Sequence, residues 1–123
     1  MRSSTRMLWW RVVPGGFLAE VLVFATVIPV FRTLGQEAVL YVAPVASFVA
    51  CFFLAWWASR KADGRFVVHG VLVGLVATLL YVALTKAGPE PVAYLIAHGL
   101  KIVGGGLGGF VAGRRRSLEV SRA

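Results

Sequence analysis

The sequence has few charged residues and a single cysteine. Only 15% of its 123 residues are charged, and just 5 are Asp or Glu. A soluble domain of this length covers itself with charged and polar side chains, so this shortage excludes an ordinary soluble globular protein. Because Cys51 is the only cysteine, it forms no disulfide within the chain and indicates no redox compartment.

Long polar segments are also missing. The apolar runs of the sequence are joined by short connections, RTLGQE, RKADGR and KAGPEP. Such connections leave no room for a catalytic or nucleic-acid-binding domain, and no nucleophile–base constellation is apparent. We therefore expect no enzyme activity. We also expect no nucleic-acid partner, although 13 Lys+Arg against 5 Asp+Glu give a formal charge of +8.

The apolar runs themselves have the length of membrane spans. They cover about residues 12–31, 38–59, 66–85 and 92–113. A helix of roughly 20 residues rises about 30 Å, the thickness of the hydrocarbon core of a bilayer. The first run is too long for a signal peptide and contains Glu20, so we interpret it as an uncleaved span. The sequence predicts an all-α polytopic membrane protein: one domain, a four-transmembrane-helix bundle with short loops in a lipid bilayer.

The basic residues predict an orientation. One side of the predicted bundle carries only Arg32 and Lys86. By the positive-inside rule, the opposite side is cytoplasmic, so both termini are expected in the cytoplasm of a bacterial inner membrane. The tryptophans Trp9, Trp10, Trp56 and Trp57 are expected at that same interface. The cytoplasmic side carries Arg2, Arg6, Arg11, Arg60, Lys61, Arg65, Arg114, Arg115, Arg116 and Arg122.

Small residues recur at helical spacing in the predicted spans. Lipid supplies no hydrophobic drive between helices, so helix association relies on close packing at such residues. We expect these stripes to be helix-packing faces within the chain, in a homo-oligomer or in a larger membrane complex. The packing candidates are Gly70 and Gly74 in the third span, and Gly105, Gly109 and Gly113 in the fourth, where Lys101 shares their face.

Several polar residues fall at membrane depth. Lys101 precedes Arg114 by thirteen residues, which places it about 20 Å from the cytoplasmic side. Ser47, Thr78 and Thr26 reach similar levels, so the four residues are candidates for one shared polar layer. An ionisable group at this depth requires a partner or a function.

Glu20 is the candidate partner of Lys101. It lies about 14 Å deep, roughly one helical turn from the lysine, and the two side chains are expected to lean apart along their helices. A direct pair, a neutral hydrogen-bonded Glu20 and a Lys101 that reaches water all remain open. His98 is either a satisfied packing residue or a proton-handling group.

The sequence predicts no cofactor and no metal site. Gly104, Gly106 and Gly109 match the G-x-G-x-x-G spacing of dinucleotide-binding loops. No strand precedes them and they lie within a predicted span, so we do not interpret them as such a loop. His69 and His98 are expected near opposite faces of the membrane, and no cysteine or carboxylate completes a ligand set.

The segment GGFLAEVLVFA at 15–25 resembles the first helix of the small multidrug resistance transporters. That family also has four spans, and its proton-coupling glutamate stands in an Ala-Glu-Val context that Glu20 matches. The resemblance covers about ten residues. The third span lacks the tryptophan-bearing stretch of the family, and the charge bias of this chain is stronger. The resemblance implies a coupling role for Glu20 without identifying the chain as a member.

Two functions follow as hypotheses. The first is a structural, accessory or assembly component of a membrane that acts through small-residue helix packing. The second is a small proton-coupled transporter that works as a homodimer, with Glu20 as the coupling carboxylate and with Lys101 and His98 as modifiers. The first is the hypothesis we favour from the sequence.

Overall fold

The chain folds into a bundle of four α-helices. The computed structural model describes residues 7–62, 64–86, 88 and 92–122, with side chains as far as Glu119. Each helix is long and apolar enough to cross a membrane, so the prediction of an all-helical fold with four helices of this kind is confirmed. Arg2 and Arg6 lie outside the described residues. The helices are α1 (Trp9–Leu34), α2 (Gln36–Ser59), α3 (Phe66–Thr85) and α4 (Val92–Arg122).

The helices do not all end where the apolar runs of the sequence end. Helix α4 continues to Arg122, well past the predicted end at residue 113. Hydropathy marks only the apolar part of a helix, and the arginines after Gly113 are good helix formers with no proline or glycine behind them. Helices α1 and α2 are joined by Gly35 alone, whose φ of 88° lies in the region that favours glycine.

Helices α2 and α3 form the middle of the bundle. Helix α1 packs against both of them on one side, and α4 packs against both on the other. Among the described residues, the backbones of α1 and α4 do not pack against each other. We call the end of the bundle that carries Arg11, Arg60, Lys61, Arg65 and Arg114 the basic end, and the end with Gly35 the opposite end.

Small side chains fill the interior and large apolar ones cover the outside. Ala19, Ala50, Cys51 and Ala77 form one buried cluster with Val23. A second cluster, nearer the basic end, consists of Val12, Ala55, Ala58 and Val73. Large apolar side chains are exposed instead, as with Tyr41 at 76%, Leu34 at 70% and Trp10 at 66% exposure. Helices with small residues at their contacts approach closely, which is typical of packing in an apolar solvent.

Glycines bring α4 into backbone contact with both middle helices. A Cβ atom at Gly105 would collide with the carbonyl oxygen of Gly70 on α3. On the α2 side, a Cβ atom at Gly104 would lie 2.7 Å from the carbonyl oxygen of Phe48. Similar collisions arise at Gly108 and Gly109, so only glycine permits this separation of the helices in the half of α4 towards the basic end.

Candidate functional site

Glu20 on α1 and Lys101 on α4 form an ion pair inside the bundle. Lys101 Nζ lies 2.7 Å from Glu20 Oε1 and donates a hydrogen bond to it. The Glu20 side chain is 1% exposed and the Lys101 side chain is 2% exposed. Of the arrangements that the sequence leaves open for these residues, the structure has the direct pair. Because α1 and α4 are not neighbours, the pair links the two outer helices across the bundle.

The burial of Lys101 follows from the face of α4 on which it lies. Ala97 precedes it by four residues and is 4% exposed, and Gly105 follows four residues later in contact with α3. This face turns inward, so the lysine side chain also turns inward. Glu20 and Lys101 lie at different levels along the bundle. The flexible four-carbon stem of the lysine is long enough to bring its ammonium group to the carboxylate.

One aromatic ring contacts the ammonium group, and further rings pack against that ring. Lys101 Nζ lies 5.0 Å from the centre of the Tyr81 ring, within the range of a cation–π interaction. The Tyr81 ring stacks on Phe24 with centroids 6.3 Å apart and contacts the ring of Tyr94 edge-on at 6.5 Å. The half-buried His98 ring lies 4.7 Å from that of Tyr81. The structure thus places His98 beside the pair.

A cavity of about 110 Å³ adjoins the ion pair. Two residues that line it, Glu20 and Ser47, each carry a buried side-chain oxygen (Oε2 and Oγ, respectively) with no hydrogen-bond partner among the described residues. Such atoms are unfavourable unless a ligand or ordered water answers them. The cavity extends towards the opposite end of the bundle, where Tyr94 is half-buried. Its polar or aromatic lining includes Glu20, Ser47, Tyr81, Tyr94, His98 and Lys101.

The structure does not bring the two threonines of the expected polar layer to this site. Thr26 is exposed on α1, and its Oγ1 donates a hydrogen bond to the carbonyl oxygen of Leu22 at 2.9 Å. Thr78 is half-buried and donates to the carbonyl oxygen of Gly74 at 3.0 Å. Neither lines the cavity. Ser47 and Lys101 line the cavity and the threonines do not, because the level of a residue along its helix does not fix which way its side chain points around the helix axis.

Near the basic end, Arg11 binds the carboxyl end of α2. Its Nε donates to the carbonyl oxygen of Ala58 at 3.3 Å, and its guanidinium also donates to the carbonyl oxygen of Trp57. The guanidinium lies 4.1 Å from the centre of the Trp57 ring. These contacts satisfy carbonyl groups that the helix end leaves without partners. Sequence reasoning treated Arg11 only as an orienting charge, because no local pattern reveals a bond to a residue so distant in sequence.

His69 is a second polar residue whose contacts the sequence does not reveal. It is fully buried, and its Nε2 accepts a hydrogen bond from the backbone N–H of Leu8 at 3.1 Å. Its Nδ1 lies 2.7 Å from the carbonyl oxygen of Arg65, so Nδ1 carries the proton and donates. Both ring nitrogens are therefore satisfied in the part of the bundle near the basic end.

Comparison with known proteins gives no family for the chain. No protein-family model, curated protein or solved structure matches it. The site is therefore interpreted from its own geometry. Within the described residues, no three His, Cys, Asp or Glu side chains form a group that could hold a metal ion.

Proposed function

We propose that the chain is an integral protein of a bacterial cytoplasmic membrane, with both termini in the cytoplasm. The apolar outer surface and the lengths of the four helices support insertion. The charge bias supports the orientation, because Arg60, Lys61 and Arg65 lie at one end of the bundle and Arg32 and Lys86 at the other.

Topology is tested with reporters fused after Ala123 and, separately, within the connection after α1. We expect a reporter that works only in the cytoplasm to be active after Ala123, and one that works only in the periplasm to be active after Gly35. The reverse pattern would contradict the orientation. Equal activity of each reporter at both sites would indicate a dual topology instead of a fixed one.

Within that membrane, we propose a structural, accessory or assembly role without enzyme activity. The observation that carries this proposal is the Glu20–Lys101 pair. A carboxylate that takes up and releases protons during transport must be able to separate from any cation paired with it. Here the paired cation is the Lys101 ammonium group, which belongs to the same chain and lies 2.7 Å away. The pair neutralises both charges inside the bundle and links its two outer helices, which suits a fixed scaffold.

Assembly with a second copy or with a larger complex would use the outer surface. The glycines of α4 that the sequence offers for packing contact α3 of the same chain, whereas Gly104 and Gly108 contact α2. Exposed apolar side chains such as Phe17, Val21 and Phe53 remain available on α1 and α2. The proposed partners are therefore lipid and another membrane protein or a second copy of this chain.

The role is tested by proton flux in vesicles that contain the purified protein and an internal pH dye. Under an imposed membrane potential, we expect the same flux as in protein-free vesicles, and no effect of Glu20→Gln. In parallel, cross-linking in intact membranes should yield a species heavier than the 13.2 kDa chain. A monomer in the membrane that conducts protons would contradict the structural role.

A proton-coupled transporter that works as a homodimer is the second candidate. The specific observation in its favour is Glu20 Oε2, a buried oxygen of a cavity-lining residue with no bonded partner among the described residues. A proton reaching the cavity would find this oxygen. Saturable, substrate-dependent proton flux that Glu20→Gln abolishes, in a protein that remains folded, would establish this candidate in place of the first.

A further inference from the structure

The cavity beside the ion pair has the features of a binding site for a small molecule. Glu20 and Ser47 line it and are both 1% exposed, and each has a buried side-chain oxygen that no described residue binds. Lys101 adds donor capacity, since an ammonium group has three N–H donors and Glu20 Oε1 accepts one of them. The residues that line this partly open cavity thus offer an acceptor, a hydroxyl and a donor.

The size of the cavity limits the ligand to a few heavy atoms. A cavity of about 150 Å³ holds benzene, so the 110 Å³ here accommodates about four heavy atoms. The same space holds about three or four water molecules at ~30 Å³ each. Water is therefore the competitor that any solute must displace.

The charges favour a neutral ligand over an ion. An anion would meet the Glu20 carboxylate, and a cation would meet the Lys101 ammonium, each in surroundings of low dielectric. A neutral molecule with one donor and one acceptor avoids both conflicts. Its donor faces Glu20 Oε2 and its acceptor faces Lys101 Nζ, while Ser47 Oγ serves as either.

We propose that this cavity binds a small neutral solute that carries a hydrogen-bond donor next to a carbonyl-type acceptor, as in a primary amide. Bound there, the solute completes the hydrogen bonds of Glu20 Oε2 and Ser47 Oγ and leaves the Glu20–Lys101 pair intact. The site would give the protein a response to solutes of this class. This inference goes beyond the structural role and does not depend on it.

The test observes the Lys101 ammonium directly. The chain has three lysines, of which Lys61 and Lys86 are exposed and Lys101 is buried. In protein labelled with ¹⁵N-lysine and held in lipid nanodiscs, the Lys101 Nζ–H signal is identified by its loss in Lys101→Met. We expect acetamide to shift this signal in a saturable way at concentrations on the order of millimolar, because four heavy atoms limit the affinity.

Acetone is the matched ligand control. It has the size of acetamide and the same carbonyl group but no N–H donor. We expect it to bind about tenfold or more weakly, because Glu20 Oε2 stays unpaired and buried. Sodium acetate and tetramethylammonium chloride should give no saturable shift. Shifts that are linear and equal for acetamide and acetone would mean that the cavity holds water only, and would overturn the proposal.

Two variants locate the site without disturbing the pair. Ser47→Ala removes one bonding partner and should weaken acetamide binding about tenfold. Thr78→Ala, a residue outside the cavity whose hydroxyl bonds within its own helix, should leave binding unchanged. Equal affinity in wild type and Ser47→Ala would overturn the placement. Binding is measured from the Lys101 signal and not from assembly or transport. The binding result can therefore be interpreted even if the assembly or transport experiments contradict the structural role.

Discussion

The two halves of the bundle are held together in different ways. Towards the basic end, α4 touches α2 and α3 backbone to backbone at glycines, and the buried Arg11, His69 and Ser59 all have hydrogen-bond partners. At Lys101 the backbone of α4 still approaches α3 closely, at Gly74, but α1 and α4 are linked there only by the side chains of Glu20 and Lys101, beside a cavity. In the first half, a larger side chain cannot be accommodated because the touching backbones cannot repack. In the second half, side chains beside the cavity can change rotamer. A ligand site is expected in the half that adapts.

The largest effect is expected from a side chain placed in the tight half. A leucine at Gly105 would collide with the Gly70 backbone, so Gly105→Leu should lower stability by more than about 4 kcal/mol, beyond ordinary overpacking. The measurement is unfolding in mixed detergent micelles followed by tryptophan fluorescence.

Gly99→Leu is the matched control for Gly105→Leu. Gly99 lies on the same helix, and a Cβ atom there meets nothing within 4 Å. This variant should retain the stability of the wild type within about 0.5 kcal/mol. Equal losses at Gly99 and Gly105 would mean that the two positions do not differ in packing.

Next in size is the ion pair of the open half. Glu20→Gln and Lys101→Met each remove one partner of a buried pair, so each should destabilise the protein by about 3 kcal/mol. The double variant strands no charge, so its loss should be smaller than the sum of the two single losses by about 1–3 kcal/mol. Unfolding free energies of the four proteins provide the measurement. Strictly additive losses, with both single variants well folded, would show that the pair is not an energetic unit and would favour the transporter.

A smaller loss is expected at the arginine that binds the end of α2. Arg11→Met removes hydrogen bonds to two carbonyl groups and a cation–π contact, and should lower stability by about 2 kcal/mol. Arg32→Met changes an exposed arginine near the other end of the same helix and should have little effect. If both variants lose the same stability, the loss reflects general charge and not the contacts of Arg11.

The smallest effects compare two buried serines on α2. Ser59 Oγ donates to the carbonyl oxygen of Phe66 at 3.3 Å, so Ser59→Ala should lower stability by about 1 kcal/mol. Ser47 Oγ has no partner among the described residues, so Ser47→Ala should change stability by less than about 0.5 kcal/mol. The two melting curves in nanodiscs measure the difference. If Ser47→Ala lowered stability more than Ser59→Ala, the proposed difference between the two halves would be wrong.

The sequence predicted the helices because long apolar runs leave few alternatives. It also selected Glu20, Ser47, Lys101 and His98, since an ionisable or polar residue in such a run stands out against its neighbours. The glycine spacing led to the packing candidates Gly105 and Gly109, and the structure has both of these residues close to the α3 backbone. These features are local or periodic, so one sequence is enough to show them.

The remaining features depend on distances that periodicity does not encode. The rotation of α1 turns Thr26 outwards, away from the layer in which its depth would place it. The bonds of Arg11 to α2 and of His69 to Leu8 join residues far apart in sequence. The cavity arises from the shapes of four helices together, and no single segment predicts it.

The span of the Glu20–Lys101 link has a consequence for biosynthesis. The two residues are separated by 81 positions and belong to α1 and α4, so α1 is synthesised well before α4. At ~5–20 residues per second, a ribosome adds Lys101 roughly 4–16 seconds after Glu20. In the proposed topology, the carboxyl group lacks its final partner during that interval and requires water or another polar group in its place. In that topology, the insertion of α4 is the step that gives Glu20 on α1 its final partner.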